Sequence, residues 1–265
     1  MARILIGTSG YSYTEWVGPV YPEGTKPEMF LGTYATLFPT VELNFSYYRM
    51  PGVQQMHAML SQAPAVNFSM KAHESLTHTV DPGSWRSHAQ EFLAAASVLQ
   101  KAGSLGAVLL QFPYSFHYDP DRRRYLDSLI GSLAELPLAV EFRNGQWYNN
   151  RTIEALRERK IPLVSLDLPE IPGSPPMMDV STSPLAYVRL HGRNKETWWG
   201  SDAASRYDYL YSDRELETLA ERIRGLAVAA QLVLVYFNNH RRGQAARNAK
   251  ALQRLLGVGE HCHGT

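Results

Sequence analysis

The chain has a single cysteine, Cys262, so no intrachain disulfide can form, and such sparing use suits a reducing, cytoplasmic setting. No apolar run approaches the roughly 18 residues that a membrane-spanning helix needs, so no membrane partner is expected. The N-terminal run Met1-Ala2-Arg3-Ile4-Leu5-Ile6-Gly7 reads as a strand rather than a secretory signal. Net charge is nearly absent. Lys plus Arg number 26 and Asp plus Glu 25, leaving a formal +1. That disfavours a globally basic nucleic-acid binder and leaves room only for a local patch. A Gly-rich phosphate turn after the first strand is also missing, since Gly7-Thr8-Ser9-Gly10 is too short for one.

What is present is a barrel-sized chain of 265 residues, 45% hydrophobic and 19% charged, with enough apolar material for a large core. Apolar runs at residues 3–8, 40–46, 67–73, 107–113, 138–144, 162–167, 185–192 and 231–239 read as eight strands. Their starts recur every 23 to 46 residues, the spacing of βα units. Helix signals fill the gaps. Asp119-Pro120 is an N-cap followed by proline at the first helical position, and Ser212 with Glu215 makes a capping box. Gly257 ends a last helix that runs from about Gly243 to Leu256. Residues 168–184 carry five prolines, so the helix between strands six and seven should be missing or minimal. The expected fold is therefore an α/β TIM-type (β/α)8 barrel, one domain over residues 1–258 with a tail at 259–265.

Alternation places residues i and i+2 on one face of a strand. Applied to the strand ends, it pairs Glu42 with Asn44, Lys71 with His73, Glu141 with Arg143, Ser165 with Asp167, and Arg189 with His191. Gln111 ends the fourth strand, and Asn238 and Asn239 end the eighth. The C-terminal rim of a barrel is where active sites are built. Burying so many ionisable groups costs several kcal/mol unless they pair with one another or with a ligand. Two readings stay open: a self-satisfied network, such as Glu42 with Arg189 and Glu141 with Arg143, or a site for a ligand. Structure alone does not require polar pairs on five strands at one end, and that favours the site.

The order of motifs resembles the family known as domain of unknown function 72, or YecE-like. The resemblance is carried by Gly7-Thr8-Ser9-Gly10-Tyr11-Ser12 with Trp16 and Tyr21-Pro22, by Val41-Glu42-Leu43-Asn44 with Tyr47-Tyr48-Arg49-Met50-Pro51, and by Phe68-Ser69-Met70-Lys71. It continues through Leu110-Gln111-Phe112-Pro113, Glu141-Phe142-Arg143-Asn144 with Trp147, Arg189-Leu190-His191-Gly192, and Tyr236-Phe237-Asn238-Asn239. Asn144 stands where histidine is common, and Tyr114 where a second proline is usual. The resemblance implies a TIM-type barrel with a polar mouth and supplies no reaction.

These observations lead to an expected enzyme, a hydrolase, lyase or isomerase, acting by acid/base chemistry on a small polar or anionic substrate such as a sugar or phosphate ester. Glu42 and Glu141 would form the acid/base pair, assisted by Lys71, His191 and Asp167. Arg49, Arg143 and Arg189 would clamp the anion, while Asn44, Tyr48, His73, Gln111, Asn238, Asn239 and Trp16 would shape and orient the substrate. Arg241 and Arg242, opening the last helix, would add an anion site. No cofactor is expected. A divalent metal on His73, His191, Glu42, Glu141 and Asp167 is the lesser alternative, because no HExxH spacing supports it. The runner-up is a nucleic-acid barrel, endonuclease IV-like by fold analogy, with Arg193, Arg241, Arg242 and the Trp198-Trp199 loop as its rim. The third reading is a small-ligand binding protein without turnover.

Overall fold

Strand-forming runs and capped helices alternate along the whole chain, and the computed structural model, described over residues 2–195 and 206–259, rolls them into a barrel. Its eight strands are β1 Arg3–Ser9, β2 Thr40–Leu43, β3 Asn67–Lys71, β4 Leu105–Phe112, β5 Leu138–Phe142, β6 Ser165–Asp167, β7 Leu185–Leu190 and β8 Leu232–Phe237. Neighbouring strands are parallel, in the order β5-β4-β3-β2-β1-β8-β7-β6. A bridge between Val140 and Leu163 closes the cylinder. The Val140 N–H donates to the Pro162 carbonyl at 3.0 Å, and the Val164 N–H donates to the Val140 carbonyl at 2.9 Å. Closure in this way leaves no free sheet edge.

The described helices are α1 Phe30–Ala35, α2 Phe45–Tyr48, α3 Val53–Gln62, α4 Glu74–Thr77, α5 Trp85–Lys101, α6 Pro120–Ser132, α7 Asn150–Glu158, α8 Asp213–Ala229 and α9 Gln244–Leu256. The caps are those the sequence announces. Asp119 accepts the Arg122 N–H at 2.8 Å, Ser212 and Glu215 form the reciprocal box, and Gly257 closes α9 in the left-handed region. No helix forms between β6 and β7. There Thr182 accepts the Leu163 N–H at 2.9 Å and donates to the Ile161 carbonyl at 2.7 Å, tying the proline-rich segment beneath the barrel. No described helix is long and apolar enough to cross a membrane.

Two cores result from the alternation. The larger lies between strands and helices. The smaller fills the barrel interior with Leu5, Leu109, Val164, Leu166, Leu234 and Tyr236 among others. Each such aliphatic side chain contributes roughly 1.5–3 kcal/mol by its burial. Tyr236 tops this plug, its hydroxyl 2.7 Å from Thr40 Oγ1 and 2.9 Å from Ser69 Oγ. At Gly7, β1 and β2 approach so closely that a Cβ would lie 1.9 Å from the Thr40 carbonyl oxygen. Only glycine fits there. This contact fixes the register that sets Ser9 beside Glu42.

Candidate active site at the barrel mouth

Above the apolar plug, the next inward positions are polar: Ser9 on β1, Glu42 on β2, Lys71 on β3, Gln111 on β4, Glu141 on β5 and Arg189 on β7. Arg189 stands at the centre. It donates Nη2 and Nε to the two carboxylate oxygens of Glu42, at 2.7 and 2.9 Å, and Nη1 to Glu141 at 2.7 Å. Glu42 also accepts from the Tyr187 hydroxyl at 2.7 Å and from the Ser9 hydroxyl. The other oxygen of Glu141 lies 2.6 Å from Arg143 Nε. Both glutamates are completely buried. Burial would raise the Glu141 carboxyl, but Arg143 and Arg189 outweigh it and hold it below the ordinary carboxylate range. Two carboxylates thus face two guanidiniums, and the set is neutral.

His191 completes this floor. Burial, followed by Arg143, Arg189 and Lys71, drives its pKa well below the usual imidazole value, so the ring is neutral. Its Nε2 lies 3.1 Å from Arg143 Nη2, and because arginine only donates, Nε2 accepts. The ring proton then sits on Nδ1, 3.0 Å from the Asn238 side-chain amide, which must present its oxygen there.

A cavity of about 300 Å³ opens over the floor. Tyr11 and Tyr13 follow β1, Tyr47 and Tyr48 belong to α2, and Tyr207 and His240 close the far side. The His240 ring stacks on Tyr13 with centroids 4.6 Å apart. A second space of about 300 Å³ shares Tyr47, Tyr48, Lys71, Gln111, Arg143 and Tyr207 and continues to His78 and Tyr114. Lys71 therefore stands where the two meet. Its Nζ lies 3.9 Å from the centroid of the Tyr47 ring and has no hydrogen bond or ion pair among the described residues. Burial above all, then Arg189, pulls its pKa down to about 7, against the opposing pull of Glu141 and Glu42. Gln111 is 7% exposed, and its amide likewise has no protein partner among the described residues. Asn44 donates to Ser9 Oγ at 2.8 Å, while its own carbonyl oxygen is buried and unpaired.

The structure brings together seven of the expected residues around this cavity: Asn44, Tyr48, Lys71, Gln111, Arg143, Arg189 and Asn238. Glu42, Glu141 and His191 lie beneath them. Others are elsewhere. Val164 and Leu166 take the inward positions of β6, so Asp167 points outward, accepting from Arg193 at 2.7 Å, Tyr211 at 2.7 Å and Arg222 at 3.3 Å. Asn239 follows Asn238 and so faces the other way, donating to Asn248 at 2.9 Å and to the Tyr209 carbonyl at 2.8 Å. The third strand ends at Lys71, alternation ends with it, and His73 caps α4 by accepting the Ser75 N–H at 3.3 Å. Arg49 is exposed and does not line the cavity. Trp16 is fully buried, its indole donating to the His240 carbonyl at 2.7 Å, so it props the rim from behind. Arg241 pairs with Asp208 at 3.1 Å, and Arg242 is exposed, its backbone N–H bonded to Glu15. Of the expected nucleic-acid rim, Arg193 and Arg241 are thus ion-paired, and Trp198 and Trp199 lie outside the described residues, as does Cys262. Among the described residues no three His, Cys, Asp or Glu side chains converge on a metal position.

Several side chains at the site escaped the sequence reading. Ser9 and Tyr187 hold Glu42, and both were legible by alternation, Tyr187 standing two residues before Arg189. Tyr11, Tyr13, Tyr47, Tyr207 and His78 sit on loops and short helices, where no period points to them.

The family described as protein of unknown function DUF72 matches residues 5–263, and the chain belongs to it. It is 28% identical over 271 residues to the UPF0759 protein YunF of Bacillus subtilis (strain 168), covering 96% of this chain and 95% of that protein. A crystal structure of a DUF72 family protein from Thermotoga maritima superposes with a TM-score of 0.88 at 37% identity, over 96% of this chain and 99% of the other. One from Enterococcus faecalis gives 0.84 at 27% identity, over 97% and 96%. The two solved structures share the barrel, and none of the three names states a reaction.

Proposed function

We propose that this DUF72-family protein is an enzyme using acid/base chemistry on a small polar, anionic substrate at the barrel mouth, with Lys71 as the group that exchanges the proton. One observation carries the reading: an amine lies in a cavity with no acceptor among the described residues, beside a neutral floor of ion pairs. With Lys71 protonated the floor becomes positive by one charge, which favours an anion; with Lys71 neutral, the nitrogen lone pair is a base at physiological pH. Glu42 and Glu141 act in this reading as positioning residues. Their oxygens are occupied by Arg189, Arg143, Tyr187 and Ser9, so neither touches substrate. Gln111, Asn44 and Asn238 supply hydrogen bonds that orient the ligand, and Arg143 supports its charge. The tyrosine walls suit a hydroxylated ring.

Calorimetry with inorganic phosphate, citrate and glucose 6-phosphate in two buffers of different ionisation heat tests the reading. An anion beside Lys71 stabilises the ammonium, so binding near pH 7.5 should take up a fraction of a proton, and Lys71→Met should abolish that uptake. Binding without proton uptake, or uptake unchanged in Lys71→Met, sinks the assignment.

A further inference from the structure

We propose that the substrate of this site is a small ketone whose carbonyl carbon bonds to Lys71 Nζ, with one polar arm in each of the two spaces that meet at that amine. The inference rests on the placement of substrate at Lys71 argued above and adds its chemical class. Three observations point to it. First, Lys71 lines both spaces, together with Gln111 and Arg143, and each space is about 300 Å³. A carbonyl carbon with two substituents, joined to a nitrogen at such a junction, sends one substituent each way. Second, both directions offer polar ends: Asn44, Asn238 and His240 on one side, His78 and Tyr114 on the other. Third, among the described residues Nζ is engaged only by the face of the Tyr47 ring, which leaves its lone pair unclaimed by them.

A lysine kept solely to hold an anion works best against a carboxylate that keeps it charged. Here both nearby carboxylates are locked by guanidiniums, and burial with Arg189 favours the neutral amine, which is the nucleophilic form. In the step itself, the Nζ lone pair adds to the carbonyl carbon, and the C=O π pair takes a proton from solvent. The nitrogen then gives up a proton, the hydroxyl leaves as water with a second proton, and the nitrogen lone pair closes the C=N bond. Amine, ketone and one proton thus become an iminium and water, with no change of oxidation state. The iminium carries the same single positive charge as protonated Lys71, so the floor tolerates it. Gln111 lines both spaces with Lys71, and its amide N–H is the donor proposed for the carbonyl oxygen.

The test incubates the full chain at pH 7.5 with dihydroxyacetone phosphate and sodium cyanoborohydride, which reduces an iminium to a stable secondary amine, followed by peptide mass mapping. The expected result is a reductant-dependent adduct on Lys71 that forms at least about tenfold faster than on Lys26, Lys101 or Lys250, as a desolvated neutral amine requires. Lys71→Arg, which keeps the charge and loses the nucleophile, should carry no adduct in its place. No adduct at Lys71, or one formed no faster than on the other lysines, overturns the inference. Phosphate calorimetry on the same preparation separates the two failures. Proton-linked phosphate binding without an adduct overturns the ketone alone, and loss of both overturns the proton-exchange reading with it.

Discussion

Replacing Lys71 by methionine removes a titration that the folded chain performs near pH 7 and the unfolded chain near 10.5. Across that window the unfolded state holds the proton more tightly than the folded state. The contribution of Lys71 to stability therefore rises with pH from about 7 to 10.5 in the wild type, because the slope of unfolding free energy with pH follows the excess of protons bound by the unfolded chain. Below pH 7 both states are protonated at this residue and its contribution is flat. Methionine has nearly the same length and no charge, so the variant lacks the slope while it fills the same space. Each pH unit with a full proton difference is worth about 1.4 kcal/mol. Integrated from pH 7 to 10, with the folded lysine half-titrated at the lower end, the stability gap between variant and wild type should shrink by about 3–4 kcal/mol. Urea unfolding of both proteins at pH 7, 8, 9 and 10 measures that gap directly, provided the m-values agree. Taking the difference cancels the titration of other groups. A gap that stays constant over those four pH values would show that Lys71 titrates in the folded chain as it does in water. The case for a neutral amine at the junction would then collapse.

Glu42→Gln leaves Arg189 buried with one carboxylate in place of two and should destabilise by about 3–5 kcal/mol, as loss of one partner from a buried pair does. At about 2 °C per kcal/mol for a chain of this size, scanning calorimetry should show a midpoint about 6–10 °C lower. Asp167→Asn disturbs the Arg193, Arg222 and Tyr211 contacts on the outer face of β6. It should lower the melting midpoint while leaving phosphate affinity within about twofold, since about 0.4 kcal/mol separates affinities that differ by that factor; a larger loss of affinity would place Asp167 in the site. Gly7→Ala drives a methyl group against the Thr40 carbonyl and should cost about 1–3 kcal/mol or prevent folding, read by urea unfolding or soluble yield.

The fold was legible because its signals are periodic and local. Eight runs of the right spacing, the Asp119 and Ser212 caps, and the prolines of residues 168–184 each act within a few residues of where they stand in the chain. The site was legible where a residue lies inside a strand of known phase. Glu42, Lys71, Gln111, Glu141 and Arg189 are such positions, and all face inward. Alternation misled in two ways. It gives a period without a phase, so it groups Asp167 with the mouth although Val164 and Leu166 are the residues that face the barrel interior there. It also ends where the strand ends, so it no longer holds at His73, two residues past the end of β3. Of the tyrosine walls, Tyr48 alone is expected from the sequence. Their positions depend on how the loops after β1, β2 and β7 fold back over the barrel, and nothing periodic records that.

The balance of charge at the mouth supports the proposed site over a self-satisfied network. A network whose sole task is to close the barrel should satisfy itself and stop, since each unpaired buried ion costs several kcal/mol. Glu42, Glu141, Arg143 and Arg189 do form such a closed and neutral set. Had the layer ended there, with an apolar residue at position 71, the self-satisfied reading would be complete. Lys71 is the excess. It adds a further ionisable group, supplies no ion pair among the described residues, and is held where its charge is disfavoured. A side chain that weakens the folded state and faces open space is the mark of a position kept for what enters that space. In the proposed site the four-membered network then does more than pair with itself: burial and, after it, Arg189 lower the Lys71 pKa against Glu141 and Glu42, and those carboxylates keep Arg189 in place.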